Sequence, residues 1–177
     1  MYYEKGYVYS RIFSYNLHTH THTHTHTGTQ SLVRCIAYAP AKDRKRIVKC
    51  FKDDLFKESE PGLAQHPFAH LALLKLLDVV DDTKLLRKFI LKSLKENLKV
   101  ACSDRYARKL LLHMLSPGNT KYFTPSDLEL LSKVQVEVDG KKVCVSKKED
   151  SVRQNELLSD MNESLKSFCK VNASEMF

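Results

Sequence analysis

His66–Asp82, HPFAHLALLKLLDVVDD, and Asp104–Pro117, DRYARKLLLHMLSP, decide the reading of this chain. At an offset of 38 residues Phe68 falls on Tyr106, Ala69 on Ala107 and His70 on Arg108. The apolar pairs follow, with Leu73 on Leu111, Leu74 on Leu112, Leu76 on Met114 and Leu77 on Leu115. The same offset extends backwards, setting Asp43 on Asp81, Ile47 on Leu85, Val48 on Leu86 and Phe51 on Phe89. Recurrence at this period is the mark of stacked helical repeats, in which each unit buries its apolar face only against its neighbours. Each copy therefore predicts a pair of helices, and the fold expected is all-α: a truncated α-solenoid of armadillo-like repeats.

Working outward, Leu32, Val33, Ile36 and Ala37 sit at helical spacing before Pro40, as in the second helix of an earlier repeat. AKDRKRIVKCF, residues 41–51, is amphipathic, with Ile47, Val48 and Phe51 on one stripe and a basic outer face assigned to Lys42, Arg44, Lys45, Arg46 and Lys49. The opening stretch is apolar on most sides, as an inner helix between two neighbours should be. Asp82 is a capping candidate for the outer helix that follows, whose Leu85, Leu86, Phe89, Ile90 and Leu94 form its stripe and whose Arg87, Lys88 and Lys92 face outward. Ser103-Asp104 and Thr124-Pro125-Ser126-Asp127 are further helix starts. Residues 132–150 carry alternating Val around Asp139-Gly140, a hairpin signal, but within a helical array an irregular basic loop is the expectation. SVRQNELLSDMNESL then resumes an amphipathic outer helix.

Residues 1–27 do not share this pattern. Their alternating Thr-His tract, His18 to Thr27, reads as a translated AC dinucleotide repeat rather than a built metal site, and a disordered or artefactual segment is expected. The domain expectation is thus an unrelated segment over 1–27, the repeat region over 28–172, and 173–177 as the end of a truncated chain.

A net charge of +8 favours a polyanionic partner. Five scattered cysteines without CxxC or zinc-type spacing suit a reducing compartment, cytosol or nucleus. No apolar run reaches the roughly 18 residues of a membrane span. With five glycines and no phosphate loop, GxSxG or HExxH, no catalytic constellation can be assembled, and neither a cofactor nor a small-molecule substrate is expected.

The blocks AKDRKRIVK, AHLALLKLLDVVDDTKL, DRYARKLLLHMLSP and SVRQNELL resemble, in order and spacing, the Pumilio-homologue-3 family (Puf-A/Penguin), with its Puf-type repeats and CPL domain. That resemblance implies sequence-tolerant binding of RNA, or DNA, in the nucleus and nucleolus, in ribosome assembly beside other assembly proteins. It also implies that base readers lie on the inner helices. Mapped onto this chain, those positions are His70, Leu71 and Leu74, then Arg108, Lys109 and Leu112. Leucine has no donor or acceptor, so Leu74 and Leu112 cannot read a base edge. The candidate nucleic-acid contacts are Arg105, Arg108 and Lys109, suited to phosphates, together with His70 and Lys75. The competing reading for His70 is a buried histidine, and for the whole array a protein scaffold without RNA contact.

Overall fold

The computed structural model describes residues 24–57, 60–133, 135–138, 141–144 and 146–175. Eight helices and one hairpin are found among them. Helix α1 spans His26–Tyr38 and α2 spans Ala41–Phe51, with Pro40 between, where its missing N–H is no loss. Helix α3 is Ala69–Val79. The next outer helix, α4, runs through Thr83–Leu86, a π-turn at Arg87–Leu91, and Lys92–Glu96. Helix α5 (Leu98–Ser103) leads into α6 (Ala107–Leu115) and then α7 (Pro125–Leu131). Strands β1 (Gln135–Val138) and β2 (Lys141–Cys144) precede the long α8 (Asp150–Glu175).

The helices form two layers. In one, α1, α3 and α6 lie side by side; in the other, α4 lies between α2 and α8. The core is the seam between layers, where Ile36, Ile47, Val48, Leu73, Leu74, Leu86, Ile90 and Leu157 are buried. This is the helical repeat array that the 38-residue recurrence predicts. The repeat also shows in the caps: His66 Nδ1 accepts from the N–H groups of Phe68 and Ala69, both at 3.3 Å. One repeat on, Asp104 Oδ1 accepts from Tyr106 and Ala107, both at 2.8 Å. Both acceptors satisfy the free N–H groups of an inner helix's first turn. Asp82 likewise caps α4 through Leu85 N at 3.1 Å, and Thr124 with Asp127 closes a capping box on α7.

One glycine is dictated by space. Gly62 brings the chain back against the end of α2, and a Cβ there would lie 2.3 Å from the Leu55 carbonyl oxygen. The close approach lets Leu63 N bond to Asp54 O at 2.8 Å and Ala64 N to Leu55 O at 3.1 Å.

The structure differs from the sequence reading in four places. The end of the Thr-His tract is packed: Thr25 accepts from Gly28 N at 3.1 Å as the N-cap of α1, and the His24 ring meets His66 edge-on at 4.4 Å. A threonine where an N-cap is needed brings the helix start inside the tract. The rest of that expectation, residues 1–23, lies outside the described residues. Second, residues 135–144 are not an irregular loop but an antiparallel pair, Val136 opposite Val143 and Val138 opposite Lys141. The β-branched alternation prevails over the helical surroundings. Third, a π-turn inserts one residue into α4, and Leu91 joins the buried stripe with Ile90 within the turn and Leu94 beyond it, while Phe89 is only half-buried. Fourth, two arginines assigned to the outer face turn inward: Arg44 belongs to the core, and Arg87 is half-buried against α8, donating to Glu156 O at 2.8 Å.

Candidate nucleic-acid interface

The inner layer is where a Puf-type array would meet a ligand, and here it is already covered. After α6 the chain turns at Ser116–Asn119 and lays α7 across α3 and α1. The covering segment is fastened by polar contacts. Lys75 Nζ, 1% exposed, donates to the carbonyls of Leu131 at 3.1 Å and Ser132 at 2.7 Å, the last turn of α7. An ammonium at a helix C-terminus satisfies free carbonyls and meets the negative end of the helix dipole. Burial pulls Lys75 below the usual lysine pKa, with Asp78 acting against the shift and Arg44 adding to it. Lys109 Nζ bonds Asp127 of α7 at 3.2 Å and sits 5.7 Å from the Phe123 ring centre. Burial opposes ionisation of Asp127, but its bonds to Lys109 and Thr124 outweigh this and hold its carboxyl below the ordinary range.

His70 is 1% exposed. Its Nδ1 donates to His66 O at 2.9 Å, and its ring lies 5.2 Å from that of Tyr106. Burial, reinforced by nearby Lys109, pushes its pKa down to about 4, so the ring is neutral at physiological pH. Leu71 and Leu74 are buried as well.

The five candidate contacts therefore separate. His70 and Lys75 are corrected from ligand contacts to interior groups, because α7 occupies the face on which they would act. Lys109 is half-buried and holds Asp127. Arg105 and Arg108 remain exposed at the N-terminal end of α6, with the Arg105 guanidinium 5.8 Å from the Tyr106 ring centre.

Two buried guanidiniums escaped the sequence reading. Arg44 Nε donates to Ile36 O at 3.1 Å, one terminal nitrogen to Ala37 O at 2.9 Å and the other to Val79 O at 2.6 Å. One side chain thus caps the C-termini of two adjacent inner helices. Arg153, 2% exposed, bonds Lys148 O at 2.8 Å, Asp150 at 3.0 Å, Asp81 at 3.3 Å and the Ser146 hydroxyl. Burial disfavours the charged form of Asp81. Bonds from Ser146, the N–H groups of Lys148 and Lys147, and Arg153 overcome that and hold its pKa low. Both arginines were detectable, since Arg44 stands three and four residues before Ile47 and Val48, and Arg153 four before Leu157. They lie on the apolar stripes.

A cleft of about 860 Å³ opens beside these groups, lined by Lys75, Asp78, His113, Lys148, Arg153 and Leu157 among others. Much of its charge is answered internally: His113 meets Asp78 at 2.6 Å, Lys148 meets Glu156 at 2.7 Å, and Arg153 meets Asp150, while Lys147 of the lining is exposed. Further exposed cations lie on α1, on α6 and on the outer layer.

Comparison with known proteins agrees with this architecture. Residues 103–177 match the CPL (NUC119) domain. The chain is 34% identical over 149 residues to Pumilio homolog 3 of Homo sapiens and 33% identical over 149 residues to that of Mus musculus. In each case the match covers 84% of this chain and 21% of the relative. Protein penguin of Drosophila melanogaster is 31% identical over 134 residues, 76% of this chain and 16% of that protein. The chain thus spans about a fifth of the length of the curated relatives it matches. The crystal structure of human Puf-A in complex with DNA superposes with a TM-score of 0.74 at 33% identity, covering 86% of this chain and 28% of that one; the structure of human Puf-A superposes at 0.75. Residues 103–177 carry a CPL domain, and over the part of its relatives' length that it spans the chain belongs to the family of Pumilio homolog 3 and protein penguin.

Proposed function

We propose that the chain binds RNA or DNA through its phosphate backbone, without reading sequence, as part of a nucleolar ribosome-assembly protein. The observation that carries this is the state of the inner layer. Of the positions that would hydrogen-bond base edges in a Puf repeat, Leu74 and Leu112 are leucines and His70 is buried, and α7 lies across the wall on which His70 and Leu74 stand. Base edges must be reached by donors and acceptors, whereas phosphates need only accessible cations, and Arg105 and Arg108 are accessible. Human Puf-A has been crystallised with DNA, which supports nucleic acid as the ligand class.

The test is fluorescence anisotropy on a labelled RNA and on its scrambled counterpart. The two should bind alike, and affinity should fall steeply between about 50 and about 200 mM salt. Arg105→Gln with Arg108→Gln should weaken both equally and lower the slope of log K against log salt by about 1.4, roughly 0.7 per phosphate contact. A loss confined to one sequence would establish base readout instead. Absence of binding to either RNA at low salt would leave the chain as a protein scaffold.

A further inference from the structure

The outer layer bears more accessible positive charge than the inner one, and it is unevenly placed. On α2, Lys42, Lys45, Arg46 and Lys49 are exposed; on the adjacent α4, Lys84, Lys88 and Lys92 recur at every fourth residue, all exposed. Steps of three and four residues set the cations of each row along one face of its helix, about 6 Å apart at the longer step. Carboxylates answer only part of this: Asp82 holds Lys45 at 2.8 Å, Asp43 holds Arg46 at 3.3 Å, and Glu96 lies 3.8 Å from Lys92. Lys42, Lys49, Lys84 and Lys88 have no carboxylate within ion-pair distance among the described residues.

A solvated outer face would account for charges of both signs on all three outer helices. The third, α8, shows what such a face looks like here: its exposed stripe begins Ser151, Val152, Asn155, Ser159, Asn162 and continues with charges of both signs, Glu163, Lys166 and Lys170. On α2 and α4, by contrast, every exposed charge but Glu96 is positive. Cations spaced more closely than a Debye length of about 8 Å repel one another, and a polyanion laid along them relieves that repulsion. The exposed faces of these two helices offer no large apolar side chain of the kind a membrane-surface helix buries, since the exposed large hydrophobics are Tyr38, Val100, Leu115, Val152 and Val171.

We propose that the outer face of α2 and α4 is a phosphate-backbone track for single-stranded nucleic acid, with Lys42, Arg46, Lys49, Lys84, Lys88 and Lys92 as its contacts. The inference rests on the nucleic-acid reading above and moves most of the contact from the covered inner layer to the outer one.

The experiment uses the whole 177-residue chain and a fluorescein-labelled oligouridylate of about 16 nucleotides, comparable to the larger site sizes of single-strand binders. Changing all six residues to Gln should lower the salt slope by at least 2, out of about 4 if all six meet phosphates, and weaken binding at least tenfold at about 100 mM salt. Changing the five lysines among them to Arg, which keeps the charge, should leave binding as in the native chain. Because every changed side chain is exposed, the circular dichroism spectrum and melting temperature should be retained. Should the Gln variant nonetheless fail to fold, changing Lys84, Lys88 and Lys92 alone should lower the slope by about half as much. An unchanged slope and affinity in a folded Gln variant overturns the track while leaving nucleic-acid binding intact. Lost capture of a polyglutamate peptide with unchanged RNA binding also overturns it, in favour of an acidic protein partner. No RNA binding by the native chain at about 50 mM salt would overturn the nucleic-acid reading itself.

Discussion

Arg44→Met tests whether the repeats are joined by polar capping as well as by apolar packing. Methionine keeps much of the length of the side chain and removes only the guanidinium, so the carbonyls of Ile36, Ala37 and Val79 lose donors at 3.1, 2.9 and 2.6 Å. The Arg44 side chain is 1% exposed, so its removal leaves these carbonyls without a protein donor in a largely enclosed site. Each buried acceptor left unpaired costs about 1–3 kcal/mol, while the cost of burying the cation, of several kcal/mol, is relieved by the same change. Removing one side of a buried charged network usually leaves a net loss of about 3–5 kcal/mol. For a domain of this size each kcal/mol moves the melting temperature by about 2–4 °C, so a drop of about 6–20 °C is expected. Far-ultraviolet circular dichroism during thermal and urea unfolding would measure it. Lys49→Met, at an exposed position on the same helix, is the control and should stay within about 0.5 kcal/mol. If Arg44→Met melts within about 2 °C of the native chain, the three carbonyls are not a stabilising element and the capping argument fails.

His70 gives a prediction with a definite sign. Its ring, enclosed by His66, Tyr106, Lys109 and Asp127, has a pKa of about 4 against 6.5 for an ordinary histidine, chiefly through burial. Between those values the unfolded chain binds a proton that the folded chain does not, so stability falls as pH drops from about 6.5 to about 4, by up to about 3 kcal/mol. His70→Leu should remove that part of the pH dependence in urea titrations; an unchanged profile would show that the ring titrates in the folded state. Gly62→Ala should destabilise by about 1–3 kcal/mol, because its Cβ would meet the Leu55 carbonyl at 2.3 Å, and a denaturation midpoint equal to the native one would contradict that contact.

Much of the helical scaffold was legible because a 38-residue recurrence carries both the apolar stripes and the caps. His66 and Asp104, chemically unlike, perform the same capping task one repeat apart. What composition concealed was the sidedness of charge. Arg44 and Lys45 are neighbours in a basic run, yet a 100° step around the helix puts one in the core and the other in water. The candidate site was the least legible part. That α7 would fold back over α3 and α1 depends on a long-range bond from Lys75 to Leu131 and Ser132, more than 50 residues away, which no local pattern announces. The π-turn in α4 was hidden for a related reason, since one inserted residue changes which side of a regular stripe faces inward.

The double cap at Arg44 has a consequence for how the array comes apart. In a linear stack, cooperativity depends on how much of each unit's stability resides in its junction with the next. Here one residue of α2 satisfies the carbonyl end of α1 behind it and of α3 ahead, so neither helix can detach from α2 without losing its own cap, and α2 cannot detach without uncapping both. The first two repeats are coupled like links closed by a common pin. Amide exchange along α1 should report the opening of the pair, with protection close to that of α3, rather than the fraying expected of the outermost helix in the described array.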